Sequence, residues 1–371
     1  MRVPLLDLVA QHERIQEQVV PAIMRVVARQ SFIMGPEVGE LEQALAQLTG
    51  VRHAIACASG TDALLLSLKT LGLAPGDEVI TPAFTFFATA GAIHNAGGTP
   101  VFVDIQPESF NLDPDAVEAA ITPRTRAIVV VHLFGQMAAM EHILPIAERR
   151  GLSVIEDAAQ AVGAARTMNG RRSIAGSLGM AGTLSFFPSK NLGGWGDGGM
   201  IVTSDDALAD RLRRLRLHGG DKEYHHDEVG YNSRLDTVQA AVLLAKLPFL
   251  TGWSEARRQV AARYTQAFAG HPRIQPPPVD PLNEHIFHQY TIRVADRDAL
   301  QAHLRSTDVG HKVYYPLGLH LQPCFRHLGY RPGRLPVTEA ASAEVISLPI
   351  YPELSADQQQ AVIDAVTGFY R

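Results

Sequence analysis

The sequence predicts an α/β protein: an N-terminal arm and a large domain with a mostly parallel sheet between helices over residues 1–250, then a smaller α+β domain over residues 251–371. Three observations carry this. Short, β-branched apolar runs alternate with helix-length segments through the first two thirds of the chain, the pattern of strands buried on both faces. Four prolines, Pro276, Pro277, Pro278 and Pro281, then rule out regular structure. Beyond them strands and helices are fewer and no longer alternate in long βαβ units.

After a helical arm, GPEVGELEQALAQLTG places Val38, Leu41, Leu45 and Leu48 on one stripe, with Pro36 near the start of a helix and Gly50 at its end. DEVITP, TPVFVDI, RAIVVVHLFG, LSVIEDAA, TLSFFPS and GGMIVTSD read as strands, with DPDAVEAAI and MEHILPIAERRG as helices among the early ones. Helices near 234–248 and 254–269 lead into the proline cluster. In the small domain HQYTIRV and HKVYY read as strands, DRDALQAHLRS and SADQQQAVIDAVTGFYR as helices.

The net charge of −5 excludes a global field for nucleic acid or an anionic membrane, so an anionic ligand must be held by local geometry. Asp7, His12 and Glu13 interrupt the N-terminus too early for a signal peptide, and no run reaches the ~18–20 apolar residues of a membrane span. Cys57 and Cys324 lie too far apart in sequence to suggest a disulfide framework or a zinc ribbon, so a reducing cytoplasm is expected. HLQPCFRH brings His320, Cys324 and His327 together without a clear fourth ligand, and no metal is expected.

Three places carry chemistry. In CASGTDALLLSL, Ser59, Gly60 and Thr61 open a helix; they form either a capping box from Ser59 to Asp62 or an anion seat of free N–H groups. The strand LSVIED ends on Glu156 and Asp157, and a carboxylate there either caps a following helix or keeps another group protonated. Lys190, in SFFPSK, follows an aromatic run and suits phosphate binding or Schiff-base chemistry. Gly194, Gly196 and Gly199 satisfy G-x-G-x-x-G but run into a strand where a dinucleotide fingerprint opens a helix, which excludes NAD. These glycines are expected to let the backbone pass close to a cofactor and substrate.

An anion seat, an acid at a strand end and a later lysine are the parts needed to hold pyridoxal phosphate. With FIMGPEV, SGTDAL, GDEVITPAFTFFAT, VIEDAAQA, SFFPSKNLG, GDGGMIVT and YNSRLDTVQAAVL in one order, the chain resembles the DegT/DnrJ/EryC1/StrS sugar aminotransferases, which have the aspartate aminotransferase fold, fold type I. The resemblance implies that Lys190 bonds the cofactor and shuttles protons, that Asp157 pairs with the ring nitrogen, that Gln160 sits near the ring hydroxyl and that Phe86 stacks on the ring. It places Gly60, Thr61 and Ser185 on the phosphate, joined by Asn232 from a neighbouring subunit, and Tyr315 and His320 near substrate. It implies a homodimer that moves an amino group from L-glutamate to a keto carbon of a nucleotide-linked sugar, 3-keto in preference to 4-keto. The alternatives are a sugar dehydratase, against which Lys190 argues because those relatives carry histidine there, another fold type I enzyme, or a non-catalytic regulatory protein that kept the cofactor.

Overall fold

The computed structural model describes residues 1–222 and 224–371. Its strands in the first part of the chain are β1 (His53–Cys57), β2 (Glu78–Pro82), β3 (Thr99–Val103), β4 (Thr125–Val131) and β5 (Ser153–Asp157). A hairpin, β6 (Ala165–Met168) and β7 (Arg171–Ile174), precedes β8 (Ala181–Ser185) and β9 (Gly199–Thr203). Seven of these form one sheet in the order β1-β9-β8-β5-β4-β2-β3. Every neighbouring pair is parallel except those of β9, which runs against both β1 and β8. Helices cover both faces, and every residue of β2, β8 and β9 is buried, which is why these strands read as unbroken runs.

The topology positions the site. Because the parallel strands all end at one edge of the sheet, the segment after β1, the last residue of β5 and the last residue of β8 converge there, where open α/β sheets collect ligands. The Pro36–Thr49 helix, capped by left-handed Gly50, packs Val38, Leu41 and Leu45 into the core that includes Ile128, Val130 and Leu184. A second core gathers Tyr264 and Phe268 of the Leu250–Phe268 helix, Ile292, Leu300 and Val362, and also takes in Val3 from the start of the chain. Among the described residues no helix is long and apolar enough to cross a membrane.

The elements differ from the sequence expectation in three places. β1 and the β6–β7 hairpin emerge where no strand is expected. The hairpin is polar, and its buried Arg166 is neutralised by Glu141 and by Asp280 at 2.8 Å, far away in sequence. HKVYY is not a strand: Lys312 makes only an isolated bridge to Ser347, and Gly310 just before the segment donates its N–H to Val3 O at 2.7 Å. After a short β10 (Asn283–Glu284), the partner of β11 (Tyr290–Arg293) is instead β12 (Val345–Leu348), in an antiparallel pair.

Candidate active site

The first wall of the site is the start of the Gly60–Lys69 helix. Ser59 is extended, and its hydroxyl accepts from Asp62 N–H at 3.1 Å, while Asp62 accepts from Ser233 Oγ at 2.6 Å. The Gly60 and Thr61 N–H groups, in the first turn, have no acceptor inside the helix and point their positive ends outward. The same residues thus cap the helix and leave a seat for an anion. Ser185, at the end of β8, closes against it: a Cβ on Gly60 would lie 2.6 Å from Ser185 Cβ. Only glycine lets the serine hydroxyl come this near.

The end of β5 separates two carboxylates by the alternation of a strand. Glu156 turns into the core, fully buried, and accepts from Gly176, Leu178 and Gly179 N–H at 3.0, 2.6 and 2.7 Å and pairs with His132 Nε2 at 2.7 Å. Burial pushes its carboxyl up, but these hydrogen bonds win, and it titrates below the ordinary value. Ala138 N–H donates to His132 Nδ1 at 3.1 Å, so Nδ1 is an acceptor and it is the Nε2 N–H that donates to Glu156.

Asp157 turns the other way, into the cleft. It is buried, accepting from Thr89 Oγ1 at 2.8 Å and from Ala159 N–H at 3.2 Å. No helix follows it, so its bond to Ala159 is a local turn contact. Burial pushes its pKa above the usual value despite those bonds and the Lys190 charge. A carboxylate in that state calls for a cation. Lys190 sits in a turn after β8, its N–H donating to Phe187 O at 2.8 Å, and burial pulls its amine down to about 8, against the opposing pull of Asp157. Its neutral form is therefore far more populated near neutral pH than that of an ordinary lysine.

Gly60, Thr61, Phe86, Asp157, Gln160, Ser185, Lys190 and Tyr315 all line one cleft of about 400 Å³. Gln160 is fixed in orientation: Oε1 accepts from Phe134 N–H at 3.0 Å and Nε2 donates to Tyr315 Oη at 2.9 Å. Phe86 stands with its ring centroid 6.5 Å from that of Tyr315, and over half of its surface is open. Two expected residues lie elsewhere. Asn232 is exposed in an adjoining groove beside Ser59, Asp197 and Arg234. His320 is buried outside the cleft lining, its ring against Tyr330 and Nε2 3.2 Å from Glu339 Oε1.

The glycines after Lys190 correct an expectation. A Cβ on Gly193 would lie 2.3 Å from Pro188 O, and one on Gly199 2.2 Å from Ser59 O. The backbone they admit is the protein's own. They let the Lys190 turn fold on itself and let β9 press against the anion seat. His288, which also lines the cleft, escaped sequence reading because its partner Asn191 is 97 residues away.

The helix start, the strand-end acid and the lysine therefore share one cleft, and residues 13–367 match the model of the DegT/DnrJ/EryC1/StrS aminotransferase family. The chain belongs to that family. It is 51% identical, over all of its length and 99% of the relative's, to a protein of Geobacillus stearothermophilus named a pleiotropic regulatory protein. It is 44% identical, over 99% of its length and all of the relative's, to the UDP-2-acetamido-2-deoxy-3-oxo-D-glucuronate aminotransferase of Pseudomonas aeruginosa. Among solved structures, DesV of S. venezuelae in complex with a ketimine intermediate superposes with a TM-score of 0.96 at 42% identity, covering 100% of this chain and 99% of DesV. A further solved structure, NtdA of Bacillus subtilis with bound cofactor PMP, matches at 34% identity and a TM-score of 0.90, covering 99% of this chain and 85% of that one.

Within this family the protein is a pyridoxal phosphate-dependent aminotransferase. Its donor set fits that cofactor. The helix start offers N–H groups to a dianion, the buried Asp157 suits a protonated ring nitrogen, and Lys190 supplies an amine that burial drives toward its neutral, nucleophilic form.

Proposed function

We propose that this aminotransferase moves an amino group from L-glutamate to a keto carbon of a nucleotide-linked sugar, C3 in preference to C4, to build an amino sugar, and that it works in the cytoplasm as a homodimer. The observation that carries the proposal is the meeting of the helix start, Asp157 and Lys190 in one cleft. The nucleotide-linked substrate and the C3 preference rest on the 3-oxo sugar named for the Pseudomonas relative. A homodimer accords with the exposure of Phe32, Ile33, Met34, Phe187 and Trp195.

When bound, pyridoxal phosphate supplies an aldehyde that takes up amino groups and a ring that accepts the electrons of the bond broken beside them. Gly60 and Thr61 N–H and the Ser185 hydroxyl would hold the phosphate, with Asn232 of a second copy completing the seat. Asp157 would keep the ring nitrogen protonated. Phe86 would pack on the ring, and Gln160, already locked by Phe134, would serve the ring hydroxyl. Lys190 Nζ, as a neutral amine, takes the proton from the amino-bearing carbon of glutamate and later delivers one to the former keto carbon of the sugar. Tyr315 faces substrate.

The test is product analysis. The purified enzyme, given L-glutamate and a panel of UDP- and dTDP-linked 3-keto and 4-keto sugars, is followed by mass spectrometry for amine formation with release of 2-oxoglutarate. Amination of a 3-keto member is expected. Amination of 4-keto members alone would overturn the C3 preference, and no amination across the panel would overturn the substrate class.

A further inference from the structure

His288 lies just before β11, is 6% exposed and lines the cleft beside Lys190. Its orientation can be worked out from its neighbours. Asn191, the residue after Lys190, is itself buried, and its Nδ2 lies 3.1 Å from Ile286 O. A carbonyl only accepts, so that contact fixes the amide nitrogen there and leaves Asn191 Oδ1 as the atom that meets His288 Nδ1 at 3.1 Å. An amide oxygen also only accepts, so His288 carries its proton on Nδ1. Nε2 then presents a lone pair and, among the described residues, has no hydrogen-bond partner in the protein.

The ring stays neutral. Burial, then the charges of Lys190 and of Arg257, hold it well below its usual pKa. Arg257, from the Leu250–Phe268 helix, is fixed by donating to Ile350 O at 2.7 Å and Phe287 O at 3.3 Å. Lys190 shares the cleft with Asp157, whose charge opposes the pull of burial on its amine.

In the reaction proposed above, Lys190 alternates between a neutral amine and an ammonium, and an ammonium partly withdrawn from water needs acceptors. Asp157 is committed to the ring nitrogen. We infer that His288 is a positioning residue for Lys190: its Nε2 lone pair accepts an N–H of the Lys190 ammonium while that group holds the transferred proton, and Asn191 keeps the lone pair aimed at the cleft. The inference rests on the proposed role of Lys190 but not on which sugar is the substrate.

The experiment uses the full-length enzyme in its pyridoxamine phosphate form, in which Lys190 is free. Its titration is read by pH-dependent acetylation with peptide mapping. His288→Phe removes the acceptor and is expected to lower the Lys190 midpoint by roughly one pH unit and to cut kcat more than it raises KM. His288→Gln, whose amide oxygen is again an acceptor, restores most of both. A Lys190 midpoint that does not move in a folded His288→Phe variant overturns the inference. Should that variant not fold, ¹⁵N-histidine spectra of the wild-type enzyme decide: an Nδ1–H tautomer at His288 supports the inference, and an Nε2–H tautomer or an imidazolium at pH 7 overturns it. Failure with every keto sugar would sink the proposed substrate while leaving the Lys190 titration intact.

Discussion

Replacing Gly60 with alanine strikes at the anion seat alone. Gly60 is not in the left-handed region, so alanine adds no backbone strain, only a methyl group. That methyl would lie 2.6 Å from Ser185 Cβ, 3.0 Å from its Oγ and 3.2 Å from its Cα. Carbon atoms pack at about 3.5–4.0 Å, so the helix start and the end of β8 must part by about 1 Å. β8 is pinned between β5 and β9, which leaves the helix start to move and takes its N–H groups off the phosphate. One hydrogen bond to a charged group contributes about 1.5–3 kcal/mol, so cofactor affinity should fall roughly 10- to 150-fold. The assay titrates cofactor-free protein with pyridoxal phosphate, following fluorescence or absorbance, with urea unfolding as a check on the fold. Gly39→Ala, where a Cβ meets nothing within 4 Å, is the control and should bind normally. A folded Gly60→Ala protein binding within twofold of wild type would refute the seat.

Other expectations follow from the same geometry. Lys190 and Lys246 are both pulled by burial to about 8 from 10.5, so between those values the folded protein binds fewer protons than the unfolded chain. These two groups should make stability of the cofactor-free protein climb as pH rises from about 8 toward 10.5, and Lys190→Met should flatten part of that climb in urea unfolding, with Lys246 supplying the rest. Lys246 Nζ also donates to Gly193 O at 2.6 Å, and Lys246→Met strands that carbonyl in the turn after Lys190. A loss of about 1–3 kcal/mol in stability and a lowered kcat are expected, and an unchanged kcat would show that the turn holds Lys190 without it. Glu156→Gln puts an amide N–H₂ where both oxygens now accept, leaving at least one backbone donor bare, and should lower stability by about 1–3 kcal/mol in urea melts.

Much of the site was legible because it is built from strand ends. LSVIED announces a buried strand with acids at its edge and SGTDAL a helix start, and the family resemblance singles out Asp157 and Gly60 within them. Periodicity could not say which carboxylate of Glu156 and Asp157 faces the cleft, since that depends on Gly176, Leu178 and Gly179 closing around the first. Long-range partners hid the rest. His320 looked available in PLGLHLQ but is buried against Tyr330 and Glu339, and His288 looked like one more residue of a strand until Asn191 gave it a direction. In the fold, HKVYY had strand composition, but only Lys312 bridges to Ser347, while the residues just before it, Asp308 and Gly310, bond Val3. The β6–β7 hairpin is not announced by the sequence because it is polar and its arginines pair with Glu141, Asp280 and Glu284, distant in sequence, with no apolar run to mark it.

The role of Lys190 can be settled by reducing the purified holoenzyme with sodium borohydride and mapping the modified peptide by mass spectrometry. A single cofactor adduct on Lys190 is expected, and prior treatment with L-glutamate, which moves the cofactor into its amine form and frees the lysine, should abolish it. An adduct on another lysine, or none on a protein that carries the cofactor, would contradict the mechanism; an adduct that persists after glutamate would contradict glutamate as the donor.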